Sequence, residues 1–147
     1  MKPGSIPERY HSITPYLKLP NAGRLAEFLK QAFGGIELGR LLKPDGSFLH
    51  VEVLIGDSVV MVHEAPPHWT PKPCTLYLRV EDADVSYQRA IAAGGISVAE
   101  PLNMYFGERV ACVQDVSGND WWIASPVEML SLEEIQKRAA AFLKARG

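Results

Sequence analysis

Two short stretches carry the side chains with chemistry to offer. In LHVEVLI, His50 and Glu52 stand two residues apart, and residues at i and i+2 of a β-strand share a face. An imidazole and a carboxylate so placed could act as a general acid–base pair or form the nucleus of a metal site. The plainer alternative is a structural pair on a semi-polar strand. In GNDWWIAS, Trp121 and Trp122 are neighbours, so on a strand they must point to opposite faces. One belongs to a core, and the other can look into a binding site. A third stretch, AEPLNMYFGERVA, gathers Met104, Tyr105, Phe106, Glu108 and Arg109. It reads either as packing for a hairpin or dimer contact, or as an aromatic lid over a planar ligand. His11, His63 and His68 read as surface or edge residues without a partner at metal-site spacing.

Composition sets the frame for these residues. The chain has 147 residues, 47% hydrophobic and 22% charged, with a formal net charge of -2. That is the make-up of one globular domain with a real core, read as spanning residues 1–147. There is no basic stripe, so nucleic acid is not the expected partner. No apolar run approaches the roughly 20 residues of a membrane helix, and MKPGSIPERYHS lacks the apolar segment of a signal peptide. A cytoplasmic protein is expected. The two cysteines, Cys74 and Cys112, read as buried small hydrophobes rather than as a disulfide or a catalytic thiol.

An internal repeat organises the chain. YLKLPNAGRLAEFLKQAFGGIEL, from Tyr16, aligns with YLRVEDADVSYQRAIAAGGISV, from Tyr77, and VEVLIGDSVVMV aligns with CVQDVSGNDWWIA. Each copy reads β-α-β-β-β, the first over about residues 9–64 and the second over about 74–126, joined by the proline-rich 65–73. In the first copy, His11 to Leu19 is expected as a strand, and Asn21 as the cap of a helix with Leu25, Phe28, Leu29 and Ala32 on one face. Gly34-Gly35 ends that helix. Strands over 36–42, 48–55 and 58–64 follow, the last two joined by the turn Gly56-Asp57. In the second copy, Asp82 or Asp84 caps a helix whose face is Ala83, Tyr87, Ala90 and Ile91. A terminal helix over about 131–146 opens with the capping box Ser131/Glu134 and shows an apolar stripe of Ile135, Ala139, Phe142 and Leu143.

Alternation along the strands separates two faces. Ile13, Pro15, Leu17, Leu19, Val51, Val53, Ile55, Val59, Met61, Leu76, Leu78, Val80, Trp121 and Ile123 form an apolar set that helices would cover. The opposite set includes Thr14, Tyr16, Lys18, His50, Glu52, Thr75, Tyr77, Arg79, Cys112, Gln114, Asp120 and Trp122. Its polar and aromatic mixture suits a sheet curled round a ligand. Trp121 is thus assigned to the core and Trp122 to a cup.

The doubled unit, the ITPYLKLPNAGRLAEFLKQAFGG opening, the HVEVLIGDSVVMV hairpin and the closing MYFGERVACVQDVSGNDWWIAS resemble the vicinal oxygen chelate superfamily. That superfamily includes glyoxalase I, bleomycin-resistance proteins and extradiol dioxygenases, and the resemblance, over about residues 9–128, is strongest to its PhnB-like branch. It implies an α+β fold in which two β-α-β-β-β units build a curved, barrel-like mixed sheet with helices outside. It also implies a homodimer. Metal-dependent members place His or Glu on the first and the third or fourth strand of each unit. The aligned places here hold Thr14, Glu52, Thr75 and Trp122, of which only Glu52 is a usual ligand. No metal or other cofactor is therefore expected. The resemblance implies a metal-free protein that binds a small molecule through Thr14, Tyr16, His50, Glu52, Thr75, Tyr77, Tyr105 and Trp122. The alternative is a lyase, isomerase or dioxygenase-like enzyme using a metal or His50/Glu52 acid–base chemistry.

Overall fold

The computed structural model describes residues 7–146. Met1–Ile6, part of the stretch read as lacking a signal segment, lie outside the described residues. The fold is α+β. The first unit runs β1 (Tyr16–Leu19), α1 (Ala22–Phe33), β2 (Ile36–Leu42), β3 (Phe48–Ile55) and β4 (Ser58–Glu64). The second runs β5 (Thr75–Arg79), α2 (Ala83–Ala92), β6 (Ile96–Asn103), β7 (Glu108–Gln114) and β8 (Asp120–Pro126), and α3 (Leu132–Arg146) ends the chain. The strands form two separate four-stranded sheets, ordered β1-β4-β3-β2 and β5-β8-β7-β6. Each has one parallel pair, β1 with β4 and β5 with β8, and is otherwise antiparallel. They do not join into the continuous barrel-like sheet expected above.

The two copies match residue for residue where strands pair. Tyr16 faces Met61 as Tyr77 faces Trp122, and Glu52 faces Met61 as Cys112 faces Trp122. The glycine pairs after the helices match too. Gly34 and Gly94 turn the chain with φ of 66° and 105°, a region that costs most residues energy. Gly35 and Gly95 let the backbone pass close to β3 and β7: a Cβ on Gly35 would lie 2.6 Å from Val53 Cγ1, and one on Gly95 would collide with Val113.

Both helices face inward. Leu25, Phe28, Leu29 and Ala32 of α1 are buried, as are Ala83, Tyr87 and Ala90 of α2. One apolar core joins them to Leu17, Val51, Val53, Val60, Val62, Trp121 and Ile123 of the two sheets. The caps differ between copies. Asp82 accepts from Val85 N at 3.1 Å, as expected. Asn21 instead adopts a left-handed conformation (φ 59°) and makes no side-chain cap. The start of α1 is satisfied from a distance, by the Glu64 carboxylate accepting from Asn21 N (3.2 Å) and Ala22 N (3.1 Å), a favourable charge at a helix N-terminus.

Three further expectations change. The first strand begins at Tyr16, not His11, because Pro15 has no N–H to enter a ladder, although its carbonyl still accepts from Met61 N at 2.9 Å. Ile13, expected inside, is 87% exposed. In β4 the inward residues are Val60 and Val62 rather than Val59 and Met61: the two-residue turn pairs Ile55 with Ser58, and therefore Val53 with Val60 and Val51 with Val62. Met61 thereby joins the face of Tyr16 and Glu52. The third concerns α3. Ser131 Oγ accepts from Glu134 N at 3.1 Å, but the Glu134 carboxylate turns to Arg138, so only half the capping box forms. No residue of α3 is buried.

Candidate functional site

The two tryptophans lead to the site from opposite sides of one strand. Trp121 is 2% exposed, its ring 5.0 Å from that of Phe33. Its Nε1–H donates to Asp115 Oδ2 at 2.8 Å. Asp115, itself 3% exposed, also accepts from Ser117 N, Asn119 N and Asn119 Nδ2. Asn119 in turn accepts from Cys74 N at 2.9 Å. A carboxylate buried under the β7–β8 turn thus ties that turn to the approach to β5 and holds the indole in the core. A short run of Asp, Ser and Asn beside a buried aromatic is the sequence signal for this tie, and neither the repeat nor the strand alternation uses it.

Trp122 points the other way and is half-buried. It lines a cavity of about 320 Å³ with Tyr77, Ala99, Glu100, Leu102, Met104, Phe106 and Val110. The walls come from β5, β6, β7 and β8 and from the stretch between β6 and β7. Beside Trp122, Tyr77 donates from its hydroxyl to Glu108 Oε1 at 2.9 Å. Arg79 approaches the other Glu108 oxygen at 3.4 Å and lies 5.2 Å from the Tyr77 ring. Burial, then the Glu108 carboxylate, pushes the Tyr77 phenol up to about 12, so it stays a donor at neutral pH. Across the β7–β8 ladder from Trp122, burial and then Asp120 push the Cys112 thiol up to about 11, the inert behaviour of a structural cysteine.

The remaining candidates lie elsewhere. Tyr16, His50 and Glu52 belong to the first sheet, and none lines this cavity. His50 Nε2 is 3.5 Å from Glu52 Oε2. Across the β3–β4 pair, His50 Nδ1 meets His63 Nδ1 at 3.1 Å, so His63 is neither a lone edge residue nor without a partner. Burial lowers the pKa of both histidines, and at His63 the neighbouring His50 and Lys18 lower it further. Tyr16 sits against the His63 ring, centroids 5.8 Å apart. Beyond it, Lys18 Nζ lies 3.9 Å over the Trp69 ring, and these two with Tyr16 and Lys72 line a second, more open hollow. Thr75 is exposed at the start of β5, and Thr14 precedes β1. Tyr105 packs against Phe142 of α3 at 4.9 Å and against Phe106 at 5.2 Å; its neighbours Met104 and Phe106 line the cavity instead. Leu102 and Val110 were missed, although Val110 shares strand parity with Cys112.

The metal places implied by the resemblance do not fit an ion. Register shows that the counterpart of Trp122 is Met61, with Glu52 the counterpart of Cys112. Thr14, Met61, Thr75 and Trp122 then occupy equivalent positions, and they offer no carboxylate or imidazole. Among the described residues no group of three or more His, Cys, Asp or Glu side chains is placed to hold a metal ion. No helix among them is long and apolar enough to cross a membrane.

No family model matches the chain. An uncharacterized protein of Mycobacterium bovis, Mb0911c, is 32% identical over 136 residues, covering 85% of this chain and 90% of its own. Among solved structures, a glyoxalase/bleomycin resistance protein/dioxygenase family enzyme from Burkholderia phytofirmans superposes with a TM-score of 0.62 at 18% identity, over 76% of this chain and 94% of that one. The fosfomycin resistance protein FosX of Listeria monocytogenes gives 0.62 at 16% identity, over 85% and 97%. With its duplicated β-α-β-β-β units, paired sheets and inward helices, the chain belongs to the family of the mycobacterial protein and has the glyoxalase/bleomycin-resistance/dioxygenase fold.

Proposed function

We propose that this protein binds a small molecule with a flat apolar body in the cavity beside Trp122, without a metal ion. The observation that supports the reading is the cavity's lining, in which Glu100 is the one charged member beside Trp122, Tyr77, Phe106, Leu102, Met104, Val110 and Ala99. Its volume of about 320 Å³ sits at the lower end of the roughly 300–1,000 Å³ of small-molecule pockets. An aromatic ligand would stack on the indole, with Tyr77 and Glu108 at one side to meet a polar substituent. Naphthol serves as a flat neutral probe. It should quench tryptophan fluorescence saturably in the parent and bind poorly to Trp122→Ala; equal binding by both would refute the assignment.

The acid–base alternative rests on the 3.5 Å His50–Glu52 contact. It is the weaker reading, because that pair stands on the other sheet, away from the apolar lining. A substrate worked on by His50 would have to lie along Tyr16 and Lys18. Turnover of any compound that survived Trp122→Ala but not His50→Gln would favour it.

We also propose a cytoplasmic homodimer, most like the PhnB-like branch. Support for the dimer comes from the apolar side chains left exposed on the sheet edges, Ile36, Leu41 and Leu42 on β2 and Ile96 and Val98 on β6, and from Leu143 on α3. Light scattering at micromolar concentration should give twice the 16.2 kDa chain mass; a single-chain mass would overturn it.

A further inference from the structure

We propose that His50 and His63 form a chelating site for a divalent ion of the zinc, nickel or copper class, on the first sheet and apart from the cavity of the second. The geometry carries the argument. Two ligands of one such ion, at about 2.0–2.1 Å from it, stand about 2.9 Å apart at a right angle and about 3.4 Å apart in a tetrahedron. The two Nδ1 atoms are 3.1 Å apart, between these limits. Strand pairing sets that separation, since His50 and His63 are directly opposed in the β3–β4 ladder. The contact is a hydrogen bond when no ion is present, so chelation keeps the spacing while both Nδ1 lone pairs turn from the line between the rings towards an ion beside it.

Glu52 supplies the orienting group that a metal-bound histidine normally has on its other nitrogen. Its Oε2 lies 3.5 Å from His50 Nε2, and in the proposed site this carboxylate faces the tautomer with the proton on Nε2 and the lone pair on Nδ1. Without metal, the short Nδ1–Nδ1 contact then requires His63 to donate from Nδ1. When an ion binds, that proton leaves Nδ1 and His63 takes one up at Nε2, so the neutral pair releases no net proton. Tyr16 packs beside His63, and Lys18 and Lys43 act on the same imidazole electrostatically. The lysines disfavour a bare cation and favour one that brings an anionic co-ligand. With two protein nitrogens, the ion keeps positions open to water or to such an anion. This is neither the set of places implied by the superfamily resemblance nor the cavity beside Trp122, so the two sites can fail independently.

The test is calorimetric titration of the untagged full chain with Zn²⁺ and Ni²⁺, and electron paramagnetic resonance with Cu²⁺. One ion per chain is expected, with saturable binding lost in His50→Ala and in His63→Ala, and unchanged in the double variant His11→Ala/His68→Ala. Glu52→Gln should weaken binding by roughly tenfold. The copper spectrum of the parent should show two equatorial nitrogens, a readout that stands even if an alanine variant fails to fold. No saturable binding, binding undiminished in both alanine variants, or fewer than two nitrogens on copper would overturn the site; no change in Glu52→Gln would overturn the role of Glu52.

Discussion

The two sheets share one backbone plan and differ in what they show to the outside. At matching positions of the ladders the first sheet holds His50 and His63 where the second holds Val110 and Ala124, Glu52 where the second holds Cys112, and Met61 where the second holds Trp122. Tyr16 and Tyr77 match, and Lys18 matches Arg79. A duplicated unit thus presents imidazoles and a carboxylate on one sheet and an indole over an apolar floor on the other. The inner faces differ as well: Val60 stands where Trp121 stands, and Phe33 of the first unit packs against the larger indole. Folding keeps the inner face of both copies apolar even where residue size differs, whereas the outer faces differ in polarity and charge, and the candidate sites lie there.

Paired substitutions at matching positions can break this comparison. The largest effect is expected inside. Trp121→Ala should cost about 3–5 kcal/mol of stability, through lost packing and one of the hydrogen bonds to the buried Asp115, against about 2 kcal/mol for Val60→Ala. Chemical denaturation of both variants measures the gap; equal costs would mean that Trp121 is not the central core residue of its unit. Asp115→Ala should come next, at about 3 kcal/mol, since it leaves the Trp121, Ser117 and Asn119 donors short of an acceptor. The first copy has no such buried carboxylate under its Gly56-Asp57 turn, where Asp57 meets Ser58 in the open, so Asp57→Ala should change the denaturation midpoint little.

On the outer faces the expected effects move from stability to binding. Trp122→Ala should lower affinity for naphthol roughly tenfold with only a small change in melting temperature, while Met61→Ala should leave naphthol affinity alone. If Trp122→Ala instead unfolds the protein as Trp121→Ala does, the indole is a plug and the cavity a second core. The smallest effect sharpens the comparison through pH. Burial lowers the pKa of His50 and His63 in the folded chain, so below about pH 6.5 the unfolded chain binds protons that the folded chain resists. Stability is therefore fully present above that pH and declines on acidification through the folded values. Lys18 and Lys43 add to the resistance and Glu64 opposes it. The double variant His50→Val/His63→Ala, which copies the second sheet, should flatten the decline in a melting-temperature profile; an unchanged profile would place the pH sensitivity elsewhere.

Much of this was legible in the chain. The repeat and the strand periodicity placed β2, β3 and β4 at the residues observed, and parity along β8 assigned Trp121 and Trp122 to opposite sides. The two-residue turn at Gly56-Asp57 also contains the register of β4, because pairing Ile55 with Ser58 makes odd residues of β3 share a face with even residues of β4. Reading β4 by its own alternation missed that, since Val59, Val60 and Val62 are all apolar and Val59 is itself only 4% exposed. The cap of α1 was not legible, because Glu64 reaches it from 42 residues away and local capping rules see only neighbours.

By itself the sequence determined the α+β duplication, the helix faces and the alternation of each strand, because these depend on short-range periodicity and turn chemistry. Which candidates share a site was decided only by the tertiary structure. Tyr16, His50 and Glu52 looked like companions of Tyr77 and Trp122 because the repeat makes their positions equivalent. Equivalent positions in a duplicated chain fall on two different sheets, and here those sheets are not hydrogen-bonded to one another. Periodicity reports the face of a strand on which a side chain lies; only packing decides what that face meets.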